Sequence, residues 1–162
     1  MSAVSTAWDR FSGSWPGRLL VSAGVWVTAP YFLTVAPTIV GLAPGRSEVT
    51  LRDWWLVRNH LGTVHAIASC NLAEYAMGVL AEATVPATHR WIPTGMRVDY
   101  LAKASGPLRA VAVFAVGPEF GSGREDAAVE VAITDAAGRE VVHATIDVRV
   151  SPRSPHPAPA GV

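Results

Sequence analysis

Three polar side chains stand out for the chemistry that their types and spacing allow: Asn59, His65 and Glu74, in the pattern N-x5-H-x8-E. A carboxylate can act as a general base on water or as a nucleophile, and an imidazole can donate or accept a proton. Glu74 lies in an otherwise apolar segment, where an unpaired buried charge costs several kcal/mol. It must therefore pair with an arginine, reach solvent or a cavity, or serve a function. The alternatives for His65 are a helix cap or a packing residue.

The residues just before this apolar segment predict where a helix begins. Gly62 permits a tight turn into the helix, and Asn59 or Thr63 can cap its first turn. The N–H groups of a first helical turn are free to bind an oxygen that develops negative charge. We therefore expect Gly62, Thr63 and Ala66 to contact a substrate there, with His65 in the same turn.

The spacing between His65 and Glu74 constrains any site that uses both. Nine residues of helix rise about 13.5 Å and rotate by about 900°, so the two side chains face opposite ways. One helix therefore cannot bring both to the same small group. A site that contains both must combine the helix start of one subunit with Glu74 of another.

The elements that position these residues are predicted from periodicity and turn residues. Residues 62–84 lack proline and are rich in alanine and leucine, which predicts one long buried helix. Two β-rich segments precede this helix and four follow it, separated by turn sequences. This order predicts an α+β domain with the helix packed on an antiparallel sheet. The predicted helices are residues 3–28, broken near 15–17, and 62–84; the predicted strands are 35–42, 48–52, 89–104, 108–116, 127–134 and 140–150.

Composition excludes several classes of protein. The 162 residues carry 13 basic and 13 acidic side chains, and zero net charge argues against a nucleic-acid-binding protein. A single cysteine, Cys70, rules out an internal disulfide and is expected to pack as a small hydrophobic residue. The histidines are scattered, so we predict no metal site. Residues 19–45 are uncharged, but Pro30, Pro37 and Pro44 would interrupt a membrane-spanning helix. With no basic signal sequence at the start, we expect a cytoplasmic protein.

Two segments carry a resemblance to a known family. RNHLGTVHAIA (58–68) followed by NLAE (71–74) resembles the motif of hotdog-fold acyl-CoA thioesterases of the phenylacetate-pathway type, and more closely an uncharacterised thioesterase-like branch of that superfamily. Residues 98–106 are similar to the strand that follows the helix in that family. The resemblance implies an antiparallel sheet wrapped around a long central helix over residues 30–150. Residues 1–29 would then be an N-terminal helical segment, and the proline-rich residues 151–162 are expected to be disordered.

The same resemblance implies an activity and a set of site residues. Glu74, His65 and Asn59 would be catalytic in the hydrolysis of an acyl-CoA thioester, at a two-fold interface of a homodimer or a dimer of dimers. Coenzyme A would enter as part of the substrate, with no separate cofactor. Arg97 and Lys103 could contact its phosphates, although a solvated strand face is the preferred interpretation. Trp54, Trp55 and Trp91 flank the helix and are expected to pack in the core, with an acyl-pocket wall as the alternative.

One departure from the family pattern favours a different function. Catalytic members commonly have His-Gly-Gly where this chain has His65, Ala66 and Ile67. The glycines would let a carbonyl group approach the helix start closely, whereas Ile67 narrows that approach. The alternative is a non-catalytic module that binds acyl-CoA or lipid. A hotdog dehydratase would need a different arrangement of histidine and acid, which the chain lacks.

Overall fold

The computed structural model describes residues 2–153 of the chain. Its elements follow the order that the sequence predicts, with two short 3₁₀ helices in addition. The helices are α1 (Ala3–Phe11), α2 (Trp15–Thr28) and α3 (Ala66–Thr84), and the 3₁₀ helices are Pro30–Thr34 and Trp55–Val57. The strands are β1 (Thr38–Ala43), β2 (Arg46–Leu51), β3 (His89–Tyr100), β4 (Leu108–Phe114), β5 (Glu125–Thr134) and β6 (Glu140–Pro152).

The six strands form one antiparallel sheet in the order β1-β2-β4-β5-β6-β3. One face of this sheet is covered by α3, and side chains alternate between that buried face and the opposite one. In β5, for example, Val129, Val131 and Ile133 are buried, whereas the residues between them are partly exposed. The predicted α+β architecture is therefore confirmed. The 12-residue strand β3 lies at an edge of the sheet, next to β6 only.

Most of α3 is buried because its residues are apolar on nearly every side. Leu72, Ala76 and Leu80 are completely inaccessible to solvent. The small side chain of Ala76 lets β2 lie close to the helix, and the Ser47 hydroxyl in β2 donates a hydrogen bond to the Ala76 carbonyl at 2.6 Å. The central helix is thus fixed to the sheet by packing and by a buried polar contact.

The N-terminal helices pack against the same core. Ser2 and Ser14 cap α1 and α2, and the chain breaks between the two helices where the sequence predicts a break. Two hydrogen bonds join α2 to the segment at the start of β1. The Ser22 hydroxyl accepts the Ile39 N–H at 2.9 Å, and the Trp26 indole N–H donates to the Pro37 carbonyl at 2.9 Å.

Several predicted boundaries are wrong for identifiable reasons. Helix α3 begins at Ala66, not at residue 62, because residues 58–64 form a small loop closed by an antiparallel bridge between Arg58 and Val64. Strand β1 begins at Thr38 because a 3₁₀ helix occupies residues 30–34. Strand β6 continues through Pro152 by pairing with β3. The first residues of the expected tail therefore belong to the sheet, and residues 154–162 lie outside the described part.

Two further expectations concern exposure. Trp55 is 76% exposed, so its predicted place in the core is wrong. Trp91 is partly buried and donates its indole N–H to Glu82 at 3.2 Å. Within residues 2–153, no helix is both long enough and apolar enough to cross a membrane.

Candidate active site

His65 is the residue that caps α3. Its backbone is extended, and its ring Nδ1 accepts the Ile67 N–H at 3.1 Å. The predicted caps, Asn59 and Thr63, are wrong because the chain does not enter the helix until Ala66. Two backbone hydrogen bonds to other segments hold the residues just before the helix in place. The His65 N–H donates to the Val57 carbonyl, and the Val64 N–H donates to the carbonyl of residue 104, both at 2.8 Å.

This cap defines the donors at the helix start. Because Nδ1 accepts a hydrogen bond, it carries no proton, and a neutral imidazole then carries its proton on Nε2. The ring can therefore donate from Nε2. The Ala66 N–H is also free, since within residues 2–153 neither backbone nor side chain accepts it. Both His65 and Ala66 are exposed, so an incoming oxygen atom can reach the first turn.

Asn59, Gly62 and Thr63 lie together in the loop before the helix. The Asn59 carboxamide oxygen accepts the N–H groups of Leu61 and Thr63 at 2.9 and 3.2 Å, and its Nδ2 donates to the Thr63 hydroxyl at 2.9 Å. Gly62 has a φ of 75°, in the left-handed region that glycine adopts without strain. Asn59 therefore holds the loop closed, and one N–H of its Nδ2 remains available.

Glu74 lies two turns into α3 and is half-buried. In the part of the chain that the structure describes, its carboxylate has no salt bridge and no hydrogen bond. Of the two structural alternatives, pairing with an arginine is thus not what the structure shows, whereas access to solvent agrees with the partial exposure of Glu74. Glu74 follows Ala66 and Cys70 at intervals of four residues, so the three share the side of α3 that is not covered by the sheet.

The structure separates Glu74 from the helix start. Glu74 follows Ala66 by eight positions along α3, which corresponds to about 12 Å of rise. His65 lines a small cavity at the helix start, and Glu74 is not among the residues that line it. One chain therefore does not place this carboxylate and the first-turn donors around a single carbonyl group.

The exposed side of α3 runs next to the free edge strand β3. Cys70 and Tyr100 lie in contact there, with 3.1 Å between the sulfur and the phenol oxygen. This hydrogen bond, together with partial burial, raises the pKa of Tyr100 to about 12. Cys70 is therefore engaged with a neutral phenol, in agreement with its interpretation as a packing residue. Ile92, Met96 and Tyr100 leave apolar surface exposed along β3.

The small cavity beside His65 contains a residue that sequence reasoning missed, Asn71. The volume of this cavity is about 170 Å³. Asn71 is only 4% exposed, and both its Nδ2 and its Oδ1 lack a hydrogen-bond partner within residues 2–153. Such a group costs about 1–3 kcal/mol of stability. The only sequence signal is an amide inside an apolar helix. The cavity is lined by Tyr31, Thr34, Val35, Leu56, Val57, Arg58, His65, Ile67, Ala68 and Asn71.

A larger apolar cavity of about 510 Å³ adjoins the small one. Val35 lines both, and the segment from Trp54 to Arg58 runs along the two. Indole rings of Trp15, Trp26 and Trp54 contribute to its wall. Trp54 is therefore a cavity-wall residue as well as a packing residue, and the space is large enough for an acyl chain.

Several of the remaining charged groups are paired with one another. Arg97 forms an exposed ion pair with Asp99 at 3.2 Å, as expected for a solvated strand face. Hydrogen bonds to Glu140 and Glu130 raise the pKa of His143. Among the described residues, no group of three or more histidine, cysteine or acidic side chains is arranged to hold a metal ion.

Comparison with known proteins identifies the family. Residues 17–150 match the family described as a domain of unknown function (DUF4442). The chain belongs to this family. The crystal structure of the genomics protein APC5556 is 40% identical, covers 93% of this chain and 99% of its own, and superposes with a TM-score of 0.79. No curated protein sequence matches the chain.

More distant structures establish the hotdog fold. PA5026 from Pseudomonas aeruginosa, described as a probable thioesterase, is 19% identical, covers 79% of this chain and 91% of its own, and has a TM-score of 0.72. The phenylacetic acid degradation protein PaaI from Thermus thermophilus is 20% identical, covers 74% and 97% of the two chains, and has a TM-score of 0.63. The predicted resemblance to thioesterase-like hotdog proteins is therefore confirmed.

Proposed function

We propose that the protein hydrolyses an acyl-CoA thioester at a site shared by two subunits. The observation that carries this proposal is Glu74, a half-buried carboxylate that lacks a partner within residues 2–153. A carboxylate kept in such surroundings does little for stability and is a candidate for chemistry. Coenzyme A enters only as part of the substrate, and we expect the reaction to take place in the cytoplasm.

The free edge of β3 supports a dimer. A long edge strand presents a row of unpaired N–H and C=O groups that can pair with a second strand. Ile92, Met96 and Tyr100 would bury apolar surface in such a pairing. A two-fold axis at this edge makes every contact occur twice, so that if one residue meets a second residue of the partner, the second also meets the first. It would bring α3 of the two subunits together, so that Glu74 of one subunit approaches the helix start of the other. A dimer of dimers would use the same unit twice.

The proposed reaction uses the donors at the start of α3. The Ala66 N–H and His65 Nε2 bind the thioester carbonyl oxygen and stabilise the negative charge that it develops. Glu74 of the second subunit takes a proton from water as the water oxygen attacks the carbonyl carbon. The intermediate then breaks its carbon–sulfur bond, and the thiolate recovers the proton from Glu74. The alternative route is attack by Glu74 itself to form an anhydride that water hydrolyses.

The loop before the helix supports this arrangement. Asn59 keeps one N–H that is not used by Thr63, and we propose that it orients the water or the leaving thiol. In this loop Gly62 is exposed and Thr63 is partly buried. They would line the approach of the substrate to Ala66.

A second function is favoured by the residue after Ala66. Ile67 is 56% exposed and lines the small cavity where glycine would leave the helix start open. A bound thioester whose carbonyl cannot reach the Ala66 N–H would not be hydrolysed. The chain would then serve as an acyl-CoA or lipid-binding module.

The test is hydrolysis of a panel of acyl-CoA thioesters with detection of the free thiol. We expect Glu74→Gln to lower kcat by roughly 10²–10⁴-fold, which is the usual contribution of a general base. Glu82→Gln is a matched control, because Glu82 lies later on α3 and bonds to Trp91. A folded Glu74→Gln protein with unchanged turnover would show that this carboxylate is not catalytic. Tight binding of acyl-CoA without thiol release by the unmodified protein would establish the binding module.

A further inference from the structure

Asn71 differs from the buried serine side chains of the core, and the Tyr75 hydroxyl is the other buried polar group of α3 that lacks a partner within residues 2–153. Ser22 both donates to the Arg18 carbonyl and accepts from Ile39, and Ser47 donates to Ala76. Asn71 is buried to a similar degree, yet neither end of its carboxamide has a partner among residues 2–153. More than nine in ten buried polar groups in proteins are paired. The missing partner must therefore come from outside these residues.

The position of Asn71 directs its carboxamide toward the small cavity at the start of α3. Asn71 follows Ile67 by four residues, so the two lie on the same side of α3, one turn apart. Side chains on a helix lean toward its N-terminus, which brings the carboxamide toward His65. Asn71, Ile67 and His65 accordingly line the same cavity of about 170 Å³. Asn71 follows Ala66 by five positions, or about 7.5 Å of rise, so a group bound to Asn71 would lie near the donors that are proposed to bind the thioester carbonyl.

The charges around this cavity determine which groups it can accept. Arg58 is the only charged residue among those that line it, and its guanidinium is paired with Asp53 at 2.8 and 3.1 Å. His65 is neutral when its Nδ1 accepts the Ile67 N–H. No cation is thus left to neutralise a carboxylate or phosphate in this cavity, as far as residues 2–153 are concerned. A carboxamide offers two donors and one acceptor. The complementary ligand is a neutral group that both donates and accepts.

We infer that Asn71 is a specificity-determining residue that binds a hydroxyl group on the acyl chain of the thioester. This inference rests on the proposed function, because it describes the acyl group of the same substrate. A hydrocarbon chain would leave both ends of the Asn71 carboxamide buried without partners, and a carboxylate would lack a counter-ion. Sites that hydrogen-bond a substrate hydroxyl discriminate strongly against the analogue without it.

The test compares matched ligands in the otherwise unmodified cavity. Hexanoyl-CoA, its 3-, 4- and 5-hydroxy derivatives, and adipoyl-CoA as the carboxylate are titrated calorimetrically into Glu74→Gln protein, in which hydrolysis is suppressed. We expect at least one hydroxy derivative to bind roughly tenfold more tightly than hexanoyl-CoA, and adipoyl-CoA to show no such gain. Equal affinities across the series would overturn the inference. Failure of the unmodified protein to release thiol from any thioester is a separate result, which overturns the hydrolysis only.

The Asn71→Leu variant separates the possible partners of this residue. We expect it to lose the preference for the hydroxy derivative and to melt at a higher temperature, because leucine fills the site without unpaired polar atoms. Ser47→Ala is the control, since it removes a satisfied buried hydroxyl outside the cavity and should lower the melting temperature while keeping the preference. If Asn71→Leu weakens the binding of free coenzyme A as much as that of the hydroxy derivative, the partner of Asn71 lies in the pantetheine arm. That result would overturn the acyl assignment. If the Asn71→Leu protein melts at a lower temperature and keeps the preference for the hydroxy derivative, the partner of Asn71 is a bound water molecule. That result would also overturn the acyl assignment.

Discussion

The outer face of the sheet and the first turns of α3 handle polar side chains differently. On the sheet face opposite to α3, His143 lies between Glu130 and Glu140 at 2.9 and 2.7 Å, and Arg149 pairs with Asp126 at 2.7 Å. Glu48 is likewise paired with Arg109. On α3, by contrast, the carboxylate of Glu74, the carboxamide of Asn71 and the Ala66 N–H all lack partners within residues 2–153.

Under the proposed function, this difference separates groups that serve stability from groups that serve a ligand. Paired charges across neighbouring strands add modestly to the sheet and leave nothing free to react. Unpaired polar groups in a partly buried place lower stability, and proteins keep such groups mainly where function requires them. Ala66 and Asn71 lie in the first turns of α3 and Glu74 lies on its exposed side further along the helix, and we propose that a substrate binds along this part of α3.

The largest effect is expected when the unpaired groups of two subunits are tested for a shared site. Subunits that carry His65→Ala are mixed with subunits that carry Glu74→Ala, then unfolded and refolded together. In each mixed dimer one site receives both defects and the other receives neither. Random pairing makes about half of the dimers mixed, so about a quarter of the unmodified activity should return from two inactive parents.

Reassortment must be checked in the same sample. Differently tagged chains and mass spectrometry give the fraction of mixed dimers, and each parent refolded alone gives the background. Mixed dimers with only background activity would mean that His65 and Glu74 do not share a site across the interface. The unpaired carboxylate would then need another explanation than thioester hydrolysis.

The sequence predicts the fold better than it predicts the site. The long apolar helix and the six strands follow from periodicity and turn residues, and Glu74 is recognisable because a single carboxylate stands among apolar neighbours. The helix start is misplaced because long-range hydrogen bonds to Val57 and residue 104, which no local pattern reveals, fix the loop before Ala66. Asn71 is missed because only the surrounding packing shows whether a buried amide has a partner.

A smaller effect is expected from opening the helix start. The double change Ala66→Gly and Ile67→Gly should raise kcat/KM several-fold, because both side chains are exposed beside the free N–H group. The stability cost is about 1 kcal/mol for each glycine in a helix. Ile67→Ala is the control that reduces bulk without adding backbone freedom. If the folded double variant turns over no faster than the unmodified protein, access to the first turn does not limit the reaction.

The smallest expected effect concerns the paired face. Hydrogen bonds to Glu140 and Glu130 raise the pKa of His143 above its ordinary value of 6.5, so protonated His143 stabilises the fold. This contribution is complete below the unfolded pKa, near pH 6.5, and disappears as the pH rises through the folded pKa. Since the side chain is 38% exposed, solvent screening limits it to at most about 1 kcal/mol. The melting temperature of unmodified protein should therefore exceed that of His143→Gln more at about pH 6 than at about pH 9. Arg149→Gln removes a charge that does not titrate in this range, so its effect should not change with pH. A His143 effect that is equally independent of pH would mean that the paired face owes nothing to this protonation.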